Sequence, residues 1–321
     1  MLVTTILAAL DLGAQLLTET RAGKFELANG RVTALICRSV GSNGAPAQPN
    51  CAQAAIKIVA NHYLLAGGAI NSPAVLLRSG APDPHGRLGT RTFLHPVVMS
   101  SGVFEQKVEA WNGAPQTIYS DHYLETQAID GPIGYKIEVP PLHPVIFAST
   151  VPGMGQGQHD LLKAFPHTHT LLALLCDDDS PVLDYPQTDY VLQGGRRALL
   201  SMMEIQFAAG AQTVLPLDEM IKPYSAWTQA RDAVNALPMQ PRLTKFVSAH
   251  VMGGCGLAGT EKPGVTRPDG VHGQIENLSI HDGSLFPTRI GANPQLSIYA
   301  TVNRLAQGLV RKLAGQSVAL V

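Results

Sequence analysis

The stretch from residue 56 to residue 80 constrains the fold most. Residues 56–65 read as a buried strand that runs straight into Ala66-Gly67-Gly68-Ala69-Ile70-Asn71-Ser72-Pro73, followed by Ala74-Val75-Leu76-Leu77-Arg78-Ser79-Gly80. Ser72 suits a helix cap, Pro73 the first helical position and Gly80 the stop. A strand that turns on glycines into a helix lets a ligand approach the backbone and aims helix N–H groups at it. The same turn serves equally as a plain tight connection, and at this level both readings stand.

The flanking sequence places this unit in a mixed fold. Residues 4–17 carry apolar side chains at Ile6, Leu7, Leu10, Ala14 and Leu17, the pattern of a helix with one buried face. Residues 24–28 and 31–39 form a hairpin, because Asn29-Gly30 joins two strand-like runs. Residues 42–50 are a Gly/Pro/Asn loop. Between residues 91 and 246 short strand-like runs (97–104, 135–139, 145–150, 170–175 and 182–185) lie between Pro and Gly clusters, which predicts an antiparallel sheet, with helices over 196–209 and 224–237. Residues 247–321 return to strand–loop–helix, with a strand at 276–281. Asn293 as cap and Pro294 in the first turn open an amphipathic helix that stops at Gly315. The expectation is α/β plus α+β, with three segments: 1–90, 91–246 and 247–321.

Composition excludes several function classes. Lys and Arg number 23 and Asp and Glu 24, for a net charge of −1, with no basic run to meet nucleic acid. An apolar share of 45% with so little net charge argues against disorder. No uninterrupted apolar run reaches the ~18 residues of a membrane span. Residues 1–17 lack the basic start of a signal peptide and contain Asp11. Four cysteines without CxxC spacing predict reduced thiols in a cytoplasmic protein and no zinc ribbon.

Gly254-Cys255-Gly256-Leu257-Ala258-Gly259 matches GxGxxG, but the residues that follow read as a loop, so it lacks the helix that a dinucleotide turn requires. His250 lies in an apolar run and reads either as a packed core residue or as a catalyst. Asp282, at the end of a strand, could close a turn or accept hydrogen bonds from a ligand. Asn293 could simply be a helix cap. His167 and His169 have no third ligand in view, and His95-Pro96 and His143-Pro144 read as strand-entry turns. Asp177-Asp178-Asp179 reads as a solvated loop.

Taken together, three segments resemble the GMC (glucose–methanol–choline) family of flavin-dependent oxidoreductases. The first is Leu65-Ala66-Gly67-Gly68-Ala69-Ile70-Asn71-Ser72-Pro73 with Leu76-Leu77-Arg78-Ser79-Gly80. The second is Leu88-Gly89 with Leu94-His95-Pro96. The third comprises His250, Gly253-Gly254-Cys255, Asn277-Leu278, Asp282-Gly283-Ser284, Phe286-Pro287 and Gly291-Ala292-Asn293-Pro294-Gln295. Departures are Gly253-Gly254 where the family usually has Gly-Thr, and Gly256-Leu257 where it has a basic residue and Met.

The resemblance implies a Rossmann-like FAD-binding domain, formed by residues 1–90 and 247–321, with an inserted antiparallel substrate domain at 91–246. It implies oxidation of a small-molecule alcohol, with oxygen or a quinone-like carrier as electron acceptor. His250 would be the base and Asn293 a hydrogen-bonding partner of the substrate oxygen. Ala66, Gly67, Asp282, Gly283, Asn293, Pro294 and Gln295 would lie against FAD. The family's strand–GxGxxG–helix for the ADP half has no counterpart in the sequence. The expectation is therefore a partial FAD-binding domain that leaves apolar surface near residues 1–17 and 56–65. The alternative is a non-catalytic remnant, or a subunit that takes the ADP-binding half from a partner.

Overall fold

A computed structural model describes residues 3–41, 55–114, 116–124, 131–176, 187–240, 243–259 and 262–315. The expected loop at 42–50, the strand at 182–185 and the Asp177–Asp179 loop lie outside the described residues. In chain order the elements are α1 (Thr5–Asp11), β1 (Thr20–Ala28), β2 (Arg31–Ser39), β3 (Ile56–Ile58), β4 (Tyr63–Leu65), α2 (Gly68–Arg78), β5 (Thr92–Phe93), β6 (Val97–Val103), β7 (Tyr119–Ser120), β8 (Tyr135–Glu138), α3 (Pro144–Thr150), α4 (Gln156–Lys163), β9 (Thr168–Leu175), α5 (Asp189–Ala208), β10 (Thr213–Pro216), α6 (Trp227–Ala236), β11 (Met252–Gly253), β12 (Leu278–Ile280) and α7 (Gln295–Ala314). The content is mixed α/β, as the sequence predicts.

Among the described residues, buried apolar side chains fall into two clusters. One draws on Phe25, Val32, Tyr63, Leu65, Val75 and Leu76 from the first part of the chain and on Cys255, Leu278, Ile280, Leu285 and Leu305 from the last. The other lies wholly between Val98 and Met239. In the first, Asn29 (φ 49°) and Gly30 (φ 70°) make the hairpin turn, both in the left-handed region that such a turn needs. Asn277 ties the hairpin down: its Oδ1 accepts from Val32 N at 2.8 Å and its Nδ2 donates to Val32 O at 3.0 Å. The single strand expected at 56–65 is two. β3 continues the hairpin sheet antiparallel to β2, whereas β4 pairs parallel with β12. The break is fixed by Tyr63, whose hydroxyl accepts from Ala60 N and donates to Ile58 O.

The second cluster packs on a five-stranded antiparallel sheet of order β10-β6-β9-β8-β7. The run at 145–150 is a helix here, not a strand. Pro144 occupies its first turn and His143, not a strand-entry turn, caps it by accepting from Val145 N. α5 begins seven residues before the expected start, at a Thr188 cap, and passes through Gly194-Gly195. Those glycines are required by packing: a Cβ on Gly194 would lie 1.8 Å from Ile133 Cγ2, and one on Gly195 2.9 Å from the Phe246 ring. β10 was not foreseen, and α6 is shorter than the helix expected at 224–237.

α1 is shorter than expected and buries nothing. Leu7, Leu10, Leu12, Leu16 and Leu17 are exposed, as are Val59 and Leu64 near β4 and Leu296, Tyr299 and Leu313 on α7. No helix among the described residues is long and apolar enough to cross a membrane.

His272 is fully buried, and its Nδ1 accepts from Gln274 N. Burial pushes its pKa down to about 4, with the Asp83 carboxylate opposing. A depressed histidine contributes stability that is complete above the unfolded value of ~6.5 and is lost as pH falls toward 4, about 3 kcal/mol in all. Urea unfolding of the native chain and of His272→Gln should show the variant losing about 3 kcal/mol less between about pH 7.5 and pH 4. Equal losses would refute the assignment.

Candidate active site

Two parallel strands end side by side at the first half of the site. β4 leads into Ala66-Gly67 and β12 into His281-Asp282, with His281 N donating to Leu65 O at 2.8 Å. Ligand sites in α/β folds gather at such carboxyl ends. Asp282, 8% exposed, links the two turns. Its Oδ2 accepts from Gly68 N at 2.9 Å and Ser72 Oγ at 2.5 Å; its Oδ1 accepts from Ser284 N at 2.8 Å and from the Ser284 hydroxyl. These donors also explain why α2 starts at Gly68, four residues ahead of the expected Ser72 cap. Asp282 takes the Gly68 N–H and Ser72 Oγ takes the Gly67 N–H at 3.0 Å, so Pro73 falls inside the helix. Four donors fill a carboxylate's acceptor sites. Asp282 therefore serves the turn directly and any ligand only through it.

Ala66 and Gly67 are exposed, and a cleft of 1140 Å³ opens over them. Arg21, Lys24, Arg38 and Arg78 line it with cationic side chains beside Leu65, Ala66 and Gly67. Gly68 has φ +79° and nothing within 4 Å of where a Cβ would stand, so the turn is open to an approaching group. An exposed backbone turn with a cationic rim fits the diphosphate and chain of FAD.

The second half of the site forms around His250. Gly253 makes the path possible: with φ +84°, a Cβ there would lie 2.0 Å from Arg91 O. Gly283 lies between the two halves, for a Cβ on it would be 3.1 Å from Ile298 Cδ1 of α7 and 3.5 Å from Val251 O, next to His250. The His250 ring is half-buried and meets the His95 ring edge-on at 5.7 Å between centroids. His250 Nδ1 is buried without a hydrogen-bond partner among the described residues. Burial pushes His250 below its ordinary pKa, the Glu138 carboxylate opposes this, and the Lys136 ammonium adds to it. His95 is pushed down to about 4 by burial first, then by His250 and Arg289. Both rings are therefore neutral at neutral pH, and a neutral imidazole can accept a proton.

Asn293 does not cap α7 with its side chain. The cap position falls to Pro294, which is buried and makes no side-chain bond. The Asn293 amide instead reaches β8, where Lys136 Nζ donates to its Oδ1 at 3.0 Å and its Nδ2 donates to Glu138 Oε2 at 3.2 Å. Gln295 is exposed and donates to the Tyr299 hydroxyl at 2.9 Å. His95, Lys136 and Glu138 were missed by sequence reasoning. The signal for the last two was present: in Tyr135-Lys136-Ile137-Glu138, opposite charges two apart in a strand share one face. His169 lies beside Phe104, with 6.2 Å between ring centroids. Among the described residues, no α-helix follows Gly254–Gly259 before α7.

Comparison with known proteins bears on the family and the fold. Two sequence profiles described as GMC oxidoreductase match the chain, the N-terminal one over residues 1–97 and the C-terminal one over residues 175–301. An uncharacterised GMC-type oxidoreductase of Sinorhizobium fredii is 24% identical over 96% of this chain and 59% of its own length. A long-chain-alcohol oxidase of Arabidopsis thaliana is 28% identical over 73% of this chain and 35% of its own. The chain thus spans about a third to three-fifths of these relatives. Pyridoxine 4-oxidase from Mesorbium loti shares the fold with a TM-score of 0.60 at 15% identity, over 93% of this chain and 58% of that one. Formate oxidase of Aspergillus oryzae does so at 0.63 and 13%, over 92% and 61%.

Proposed function

Because the chain belongs to the GMC oxidoreductase family, we propose that it is an FAD-dependent oxidoreductase acting on the CH–OH group of a small-molecule alcohol. The observation that carries this reading is that the two charges holding the Asn293 amide, Lys136 and Glu138, also act on the half-buried His250 ring. Residues 1–90 with 247–321 would form the FAD-binding part and residues 91–246 the substrate part. The two separate apolar clusters support that division.

His250 would accept the hydroxyl proton as the C–H bond breaks, a task suited to a neutral imidazole. Asn293 would hold the substrate oxygen through an N–H of Nδ2. Bound FAD would supply the acceptor for the hydride leaving the carbinol carbon. The exposed backbone of Ala66 and Gly67 would face the cofactor's chain, with Asp282 and Gly283 holding the turn. The opening of α7 at Pro294 and Gln295 carries about +0.5 charge and would favour an anionic ring edge. The matched long-chain-alcohol oxidase supports an alcohol as the substrate class.

The test is to incubate the protein with FAD, pass it through gel filtration, and add primary alcohols of graded chain length. Retained flavin that bleaches with aldehyde formation is the expected result. A second reading, in which FAD is held only with a further polypeptide, draws on the exposed apolar side chains of α1 and β4. Flavin lost in gel filtration would favour it. Flavin retained but inert to every alcohol would sink the primary reading.

A further inference from the structure

We propose that Lys136 and Glu138 are positioning residues: they fix the orientation of the Asn293 amide and set the electrostatic environment of His250. This rests on the roles proposed above for His250 and Asn293.

An amide can be turned end for end with little change in shape, and only its partners decide which end is which. Here both partners decide, and they agree. A Lys ammonium only donates, so it requires the carbonyl Oδ1. A carboxylate only accepts, so it requires the Nδ2 amino group. Lys136 Nζ lies 3.0 Å from Oδ1 and Glu138 Oε2 lies 3.2 Å from Nδ2. One Nδ2 hydrogen is then spent on Glu138, and the other is free to donate to an oxygen in the site.

The clamp is itself held. Lys136 and Glu138 pair at 3.0 Å, with side chains only 13% and 4% exposed. Gln116 Nε2 donates to the same Glu138 oxygen at 3.0 Å, and Lys136 Nζ stands 4.1 Å from the centre of the Tyr119 ring. Because both residues come from one face of β8, the five-stranded sheet carries the clamp while the segment leading into α7 carries the amide.

The same two charges act on His250 with opposite signs, the carboxylate favouring its protonated form and the ammonium opposing it. The His95 ring also faces His250, edge-on, and is itself neutral. The pair therefore offers two independent handles on one imidazole.

The experiment follows the His250 ring proton by NMR during a pH titration of the native protein, Glu138→Gln and Lys136→Met. Glu138→Gln should move the His250 midpoint to lower pH, and Lys136→Met to higher pH. The Asn293 side-chain amide signals should shift or broaden in both. In alcohol oxidation by the FAD-loaded protein, kcat should fall about 100-fold in each, as for a misplaced reacting group, and its acid limb should follow the NMR midpoints. Lys136→Arg, which keeps the cation, should keep the native midpoint, and Glu138→Gln carries the test if Lys136→Met does not fold. A His250 midpoint unchanged in Glu138→Gln, and in Lys136→Met where it folds, overturns the proposal. Should the native protein oxidise no alcohol, the functional reading fails, and opposite NMR shifts still uphold the clamp.

Discussion

Replacing His250 by alanine is expected to lower alcohol oxidation by about 10²- to 10⁴-fold, the range contributed by a well-placed general base. The loss should fall on kcat more than on KM, because the substrate oxygen keeps the Asn293 contact while the proton loses its acceptor. The pH profile sharpens the test. Burial holds His250 below its ordinary value, so the base form persists as pH falls from neutrality and is titrated only under more acid conditions. Native activity should rise with pH through a midpoint below ~6.5 and then stay level. His250→Ala should have no such limb. A variant that retained native turnover and the native limb would remove His250 from the reaction.

Asp282→Ala should destabilise the fold by about 4 kcal/mol. Among the described residues, the Asp282 carboxylate accepts from the Gly68 N–H and the Ser284 N–H, and it also takes both serine hydroxyls. Leaving a buried donor unsatisfied costs about 1–3 kcal/mol, and breaking a buried charged network about 3–5. Because the bonded donors shape both the glycine turn and the turn after β12, FAD affinity should fall with stability. Ser72→Ala, which removes one of the four donors, should cost about 1 kcal/mol. Urea midpoints at constant slope measure both, and an Asp282→Ala loss under about 1 kcal/mol would mean that water replaces the carboxylate.

The parts of this fold that were legible in the sequence are those set by local chemistry. Asn29-Gly30 dictates its hairpin because two consecutive left-handed residues admit few alternatives, and Gly315 ends α7 in the left-handed conformation. What was misread depends on partners distant in sequence. α2 starts early because Asp282, 214 residues away, takes the Gly68 N–H. The helix α5 keeps two adjacent glycines, a pattern that locally signals a break, because Ile133 and Phe246 occupy the space their side chains would need. Asn293 has the composition of a cap yet gives its amide to β8, since Lys136 and Glu138 are stronger partners than backbone N–H groups. His250 and Asn293 could be singled out by resemblance, but the charges that connect them could not, because the variable middle segment supplies them.

The Lys136–Glu138 pair has one more consequence, for ionic strength. Arg31–Glu276 and Lys57–Glu26, which brace the hairpin, have side chains 42–72% exposed, within reach of dissolved ions. At physiological salt the Debye length is about 8 Å, and pairs in water are screened while buried ones largely are not. Added salt thus weakens the electrostatic ties of the hairpin and leaves the field at His250 and Asn293 almost intact. The chemistry proposed for this site should tolerate saline conditions that loosen the outer edge of the same molecule.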